Sequence, residues 1–433
     1  MYLILTCQPY QLHGNQVYLT ADRARQLRLL RNSLDGKFGQ LTLLAPALVD
    51  GSESALHADC NAGRLQAFDP ASEEIRIEPV LQHASLNSPG HWKNILQSFT
   101  QSACVLQPEI NSVADAVIAD GIFQSTGISH PIVLVHSDAS GGDHHSRSRT
   151  AALRDRLTHR RCRRSCERLA KRSELSLFSS ESSMRQYSKY ARNSRIFCEP
   201  SISNDDVISE VDLLKRLRCA PPSLPLRLVS HAPLENKYGV NLSIAIVRYA
   251  RNFGANVYLD IFGQGFQRSE LQYQIAKLGL TREVRFQQHA PNVTESLQQQ
   301  RQYDAMLLTP VIDCDMQPFL SCYSSGLPML GFDHSCFAKQ MAADNAGMIL
   351  PHHDLQRCGQ QIAELELHRG QLIEISLSAR QAACHHSRES WYAKRAEWTL
   401  DAIPRFPRTS LADVPPSAAS ARQHDPALSG LPT

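Results

Sequence analysis

The chain is 433 residues long, 42% hydrophobic and 20% charged, with a formal net charge of only +3. That length exceeds one ordinary core and predicts two domains of roughly 200 residues each. The composition excludes a fibrous or wholly disordered chain, and the near-neutral balance supplies no global field for nucleic acid.

In chain order, the start MYLILTCQPY carries too short an apolar run for a signal peptide and has no basic beginning. Tyr2–Thr6 reads as a strand, Gly14 as part of a polar loop, and Leu19 to Leu34 as an arginine-rich helix. Gln40–Ala45 reads as a second strand ended by Pro46. Ile75–Val80, the Ala116–Ile118 region and Pro131–Val135 read as further strands, the last leading into His136-Ser137-Asp138. Strands alternating with helices predict parallel βαβ units, since parallel neighbours need a crossover connection.

Residues 147–172 hold eleven Lys and Arg against Asp155 and Glu167. Leu153, Leu157 and Leu169 give them a thin apolar stripe at helical spacing. Two readings stand: a contact for an anionic membrane surface, or a solvated helix face. The run lacks the interleaved aromatics of a single-strand nucleic-acid binder. The twelve cysteines contain no C-x-x-C pair. Cys162 and Cys166 lie one turn apart near His159, but no second ligand pair follows, so reduced thiols are expected rather than zinc.

After strands at Leu175–Phe178 and Ser194–Cys198, the PPSLP segment at 221–225 marks an entry to the second half. There the rhythm sharpens: strand Leu226–Ser230, helix 241–253, strand Val257–Phe262, helix 268–278, strand Val284–Phe286, helix 293–302, and strands at Met306–Pro310 and Met329–Phe332. Helical segments run from about Leu355 to Leu400. From Pro404 on, Pro, Ser and Ala without periodicity predict a disordered tail. No window reaches the ~18–20 apolar residues of a spanning helix, so a cytoplasmic protein with at most peripheral membrane contact is expected.

In open parallel sheets, ligands bind beyond the carboxyl ends of the strands. Four loops meet that rule. His231 to Gly239 follows strand LRLVS; Lys237 suits phosphate oxygens, and a solvated loop lysine is the competing reading. Gly263-Gln264-Gly265 follows VYLDIF, where glycines let backbone N–H groups approach an anion, or simply pack a tight turn. It fails as a dinucleotide motif, because Arg268 stands where the third glycine belongs. The loop from Asp313 leads through Gln317 and Pro318 into a helix containing Phe319 and Ser321, whose orphan N–H donors suit a diphosphate. His136 ends the fourth and is placed to orient or deprotonate a hydroxyl, or is a structural strand-end histidine.

Taken in order, LVSHAPLENKYGV, YLDIFGQGFQRSELQYQIAKLGLTREVRF and LLTPVIDCDMQPFLSCYSSGLPML resemble the GT-B glycosyltransferases, in particular the retaining group called family four. The match runs from residue 226 to about 350, and reaches the N-terminal half only in rhythm. The resemblance implies two Rossmann-like domains facing each other across a cleft. Their bounds are expected at 1–205 for the acceptor side and 206–385 for the nucleotide-sugar side, with a helix at 386–403 crossing back and a disordered 404–433.

It also implies roles. Lys237 matches the lysine on the diphosphate, with His231 near the position of a missing arginine. Asp313 matches the acid that contacts the donor sugar, and Ser321 stands where a second acid usually grips the ribose. Gly263 and Gly265 match the glycine turn near the donor, Gln317, Pro318 and Phe319 the helix start beside it, and His136 an acceptor-side histidine. Asp313-Cys314-Asp315 spells a metal-binding D-x-D in the wrong context, so no metal or other cofactor is expected. Serine at 321 should weaken nucleotide binding by ~1–2 kcal/mol. The expected function is transfer of a sugar from a nucleotide-diphosphate sugar to a glycan or lipid-linked acceptor, in cell-surface polysaccharide synthesis. A catalytically inactive GT-B-like scaffold is the alternative.

Overall fold

The computed structural model describes residues 1–49, 59–60, 64–81, 105–127, 130–137, 149–197, 202–218, 224–288, 290, 293–311, 317–333 and 336–404. It divides into two compact units. One holds Met1–Phe178, Arg185–Arg195 and the end of the last helix from Ala396; the other holds Ser179–Met184 and Ile196–Arg395.

The first unit carries β1 (Tyr2–Leu5), β2 (Tyr10–His13), β3 (Gln16–Leu19), β4 (Leu41–Val49), β5 (Gln66–Phe68), β6 (Ile75–Leu81), β7 (Val105–Ile110), β8 (Val133–His136), β9 (Leu175–Phe178) and β10 (Ser194–Ile196). Its main path is β6-β4-β1-β7-β8-β9, every pair parallel. A strip of β2, β3 and β5 extends the far half of β4, with antiparallel pairs β2–β3 and β3–β5. The sheet is therefore mixed, not purely parallel.

Three expectations for this unit need correcting. Gly14 does not sit in a plain loop. It takes φ +59° in the two-residue turn that joins Leu12–Val17 and His13–Gln16 pairs, a conformation suited to glycine. Pro46 does not end its strand. Leu44 pairs with Leu5 and Ala47 with Tyr10, so Pro46 falls where that edge of β4 changes neighbours and its missing N–H is tolerated. Ala116–Ile118 is helical, within Val113–Thr126, because Ser112 caps Asp115 N–H at one end and left-handed Gly127 closes the other. The strand there is β7, which the sequence conceals by placing Pro108 opposite Leu5 in mid-sheet.

The second unit is more regular. Strands β11 (Leu226–His231), β12 (Val257–Phe262), β13 (Val284–Gln287), β14 (Ala305–Leu308), β15 (Met329–Phe332) and β16 (Gly347–Leu350) form one sheet in the order β13-β12-β11-β14-β15-β16. All five pairs are parallel. Helices cover both faces, and the central strands β14 and β15 read as continuous, wholly buried apolar runs. Alternate residues feed separate cores: Leu228, Leu307 and Leu330 one, Val229, Met306 and Met329 the other. β16 and the helix Cys336–Asp344 before it are absent from the sequence reading.

The long helical region resolves into Leu355–Leu367, Arg369–His385 and Arg388–Ala402. Gly359 lets the first of these lie against the helix Val240–Asn252, since a Cβ there would stand 2.4 Å from Tyr249 Cβ. Overpacking of this kind costs about 1–3 kcal/mol. Gly359→Ala should therefore lower the urea midpoint by a corresponding amount without changing the slope of the transition. A midpoint equal to that of the parent would show that the two helices do not pack this closely.

Candidate functional site

Counted along the chain, the second sheet runs 3-2-1-4-5-6. The connections of β11 and β14 leave toward opposite edges, so the carboxyl ends of these neighbours border a topological switch point, where open α/β sheets bind ligands. The loops issuing there are those the sequence singles out around Lys237 and before Asp313.

The two loops are locked together. Thr309 Oγ1 donates to Gly239 O at 2.8 Å and lies 2.7 Å from Ser243 Oγ. The Val311 N–H donates to Lys237 O at 2.9 Å. Gly239 has φ +62°, and a Cβ there would stand 1.9 Å from Thr309 O. Only glycine permits both the left-handed conformation and this approach.

A third loop joins from the other side. Leu234 N–H donates to Gln264 O at 2.9 Å, and Gln267 N–H to Leu234 O at 3.2 Å. A Cβ at Gly263 would lie 2.1 Å from Ala232 O, and one at Gly265 2.4 Å from Leu234 O. The glycine pair thus presses directly on the backbone of the Lys237 loop. The buried Gln267 side chain adds a hydrogen bond from Nε2 to Asn236 Oδ1.

Within this frame Lys237 Nζ sits 3.2 Å from Glu235 Oε2 and 5.2 Å from the Tyr238 ring centroid. Both charged side chains are more than a third exposed, at 39% and 37%, so the pair contributes well under ~1 kcal/mol and yields readily to a polyanion. His231 ends β11, half-buried, its ring stacked on Phe262 at 4.7 Å between centroids.

The helix Gln317–Ser324 follows β14. Gln317, Pro318 and Phe319 form its first turn, a position that accepts proline because the N–H there is unpaired anyway. Ser321 lies half-buried in its middle, and its carbonyl accepts from Ser324 Oγ at 2.7 Å. Its neighbours Leu320, Cys322 and Tyr323 are wholly buried, which anchors the helix; burial pushes the Cys322 thiol up to about 12. Asp313 lies outside the described residues.

The structure therefore brings His231, Lys237, Gly263 and Gly265 to one sheet edge, with the chain toward Asp313 bonded to the Lys237 loop. His136 belongs to the first unit. It ends β8, with its ring 5.9 Å from Phe178 and 5.3 Å from Tyr187. Sequence reasoning missed Thr309 and Gln267, whose roles exist only once β11, β12 and β14 are neighbours. It also missed Glu235, which was legible as an acid two residues before Lys237. Among the described residues no group of His, Cys, Asp and Glu has the geometry of a metal centre.

No family model and no curated protein sequence matches the chain. Solved structures do. HepE of Anabaena in complex with UDP is 14% identical, with a TM-score of 0.59 over 92% of this chain and 99% of that one. HepE also has structures with UDP and glucose and with UDP-glucose. A glycosyltransferase from Rickettsia africae is 10% identical, with a TM-score of 0.56 over 93% and 98%. WaaG, a glycosyltransferase involved in lipopolysaccharide biosynthesis, is 13% identical, with a TM-score of 0.50 over 92% and 99%. These likenesses establish the fold as GT-B.

Gly239→Ala tests the lock between the loops. The methyl group meets Thr309 O in a left-handed backbone, at a cost of about 1–3 kcal/mol. The expected result is a lower urea midpoint together with faster exchange of the Val311 amide. Unchanged protection of that amide would show that the loops are not held by this contact.

Proposed function

We propose that the chain transfers a sugar from a nucleotide-diphosphate sugar to a glycan or lipid-linked acceptor. The observation that carries this reading is the switch point itself, where the Lys237 loop and the segment leading to Asp313 are hydrogen-bonded into one ligand edge. HepE, which shares the fold, has been crystallised with UDP and with UDP-glucose.

In the proposed reaction the bond from the sugar's anomeric carbon to the diphosphate breaks, the acceptor oxygen bonds to that carbon, and the acceptor proton departs. Charge collects on the leaving diphosphate. Lys237 and, when protonated, His231 neutralise it, aided by N–H groups at the start of the helix Gln317–Ser324. Fixed charges and amides of this kind stabilise a leaving group without reorganising. The proposed chemistry is metal-independent and retains anomeric configuration without an obligatory protein nucleophile. Asp313 would hold the donor sugar, Ser321 the ribose through a neutral hydroxyl, and His136 the acceptor.

The helix Arg149–Arg172 supports a further part of the reading. Arg160, Arg161, Arg163, Arg164, Arg168, Lys171 and Arg172 are exposed while Cys166, Leu169 and Ala170 are buried. Each such cation near an anionic bilayer contributes ~1 kcal/mol of attraction. A peripheral position on the cytoplasmic face of a membrane, in cell-surface polysaccharide assembly, fits that face. Among the described residues no helix is long and apolar enough to cross a membrane.

A second reading has its own observations. Serine at 321, histidine at 231 and the Glu235 carboxylate already on Lys237 all weaken the grip on a nucleotide, as in a binding or scaffold subunit without turnover. Incubation with a panel of uridine and guanosine diphosphate sugars decides between them. Sugar transfer or donor hydrolysis is expected with at least one; nucleotide binding with no turnover on any donor and acceptor would leave the scaffold.

Two substitutions test the assignment of the diphosphate site. Lys237→Ala should weaken binding of the matching nucleoside diphosphate about tenfold, the loss of one charge-assisted contact. Glu235→Gln should tighten it about threefold, because the ammonium no longer has to leave a carboxylate. Calorimetric titration reads both, and equal affinities in all three chains would remove Lys237 from the site.

A further inference from the structure

The first unit holds a cavity of about 570 Å³ on the edge of its sheet opposite to His136. Ile132 immediately precedes β8, Glu174 precedes β9 and Arg192 precedes β10, so the cavity lies at the amino ends of these strands. Phe123 and Ile132 lie beneath it, almost fully buried. Arg168, Lys171 and Arg172, from the end of the helix Arg149–Arg172, make one wall, and Arg192 approaches from the bend before β10.

The charges there are not balanced. Arg168 Nε donates to the buried carboxylate of Asp120 at 2.8 Å, and Arg192 pairs with Glu174. Lys171 and Arg172 meet no carboxylate among the described residues. His130 also lines the cavity; its Nδ1 is enclosed without a hydrogen-bond partner among the described residues, and burial holds its pKa below the ordinary histidine value. Four cations and an imidazole from three chain segments thus converge on one concavity whose lining holds one carboxylate, Glu174, already engaged by Arg192.

We propose that this cavity binds a phosphate ester, with the phosphate among Lys171, Arg172 and Arg192. A phosphate monoester carries nearly two charges and three acceptor oxygens, enough to meet donors arriving from separate elements. A carboxylate offers two oxygens in one plane and leaves one wall unmatched. The site is distinct from the switch point of the second sheet and does not depend on the proposed transfer reaction.

The same chemistry has two sources, a soluble phosphate ester or a lipid headgroup, and two probes separate them. Glycerol 3-phosphate is titrated calorimetrically, and phosphatidic acid–phosphatidylcholine vesicles are used in co-sedimentation, with pure phosphatidylcholine as the control. The Lys171→Ala/Arg172→Ala double variant removes two exposed cations that meet no carboxylate among the described residues, so its thermal midpoint should fall only slightly, by the loss of two helix-end charges. Arg160→Ala/Arg161→Ala removes the same charge from the same helix outside the cavity. Any contribution of the second unit is equal in all three chains.

Binding of either probe, weakened roughly tenfold in the first double variant and much less in the second, supports the site and names its source. His130→Gln should also weaken binding, though less. No binding of either probe to the parent, or equal losses in the two double variants, overturns the proposal in favour of diffuse surface charge.

Discussion

Everything at the ligand edge of the second unit rests on the meeting of two backbones, Gly239 and Thr309. A 3-2-1-4-5-6 sheet opens a crevice between its two central strands, but an open crevice does not by itself hold loops still. Here Thr309 does so. Its carbonyl occupies the space a side chain at 239 would need. Its hydroxyl donates to Gly239 O and touches Ser243 Oγ. It is 1% exposed, so these bonds form in a low-dielectric setting where breaking one leaves an unsatisfied buried group. The cationic loop and the chain toward Asp313 are therefore placed by packing that does not involve any charged side chain.

The glycine turn after β12 extends this logic. Gly263 and Gly265 approach Ala232 O and Leu234 O, and Gln267 reaches across to Asn236. The Lys237 loop is gripped on two sides, from β12 and from β14. Its functional groups project from a backbone that has little freedom left, which suits electrostatic catalysis, since preorganised groups need not move as charge develops. Lys237 itself is the exposed part, a long side chain paired with Glu235 near the surface. Rigid backbone and exchangeable ion pair together make a site that holds its shape yet gives up its cation to a stronger anion.

The second unit was legible because its strands are mostly apolar runs between turns, Ala305–Leu308 and Met329–Phe332 wholly buried; Val257–Phe262 and Met329–Phe332 match to the residue. β16 escaped because GMIL has four residues and no flanking glycine turn, although Asn345, with φ +50°, marks the end of the preceding helix. The first unit was harder. Pro46 and Pro108 lie inside strands, against the usual rule, and a capped apolar helix at Val113–Thr126 imitates a strand over a few residues. At the site, residue types were readable and partnerships were not. Lys237 declared itself by chemistry, whereas Thr309 and Gln267 act through contacts between segments 31 to 70 residues apart.

The basic helix of the first unit shows how far local rules explain a charge cluster. Cations in the last turn of a helix are favoured by its dipole, worth about half an elementary charge at that end. That accounts for Lys171 and Arg172. It does not account for Arg192 and His130, which arrive from other segments at the same concavity. Like charges gathered there repel one another, and the same helix has exposed positions elsewhere for Arg160 and Arg161. The arrangement is stabilised when an anion occupies it, which is the physical reason to treat this end of the helix as a binding site and the rest of its basic face as surface.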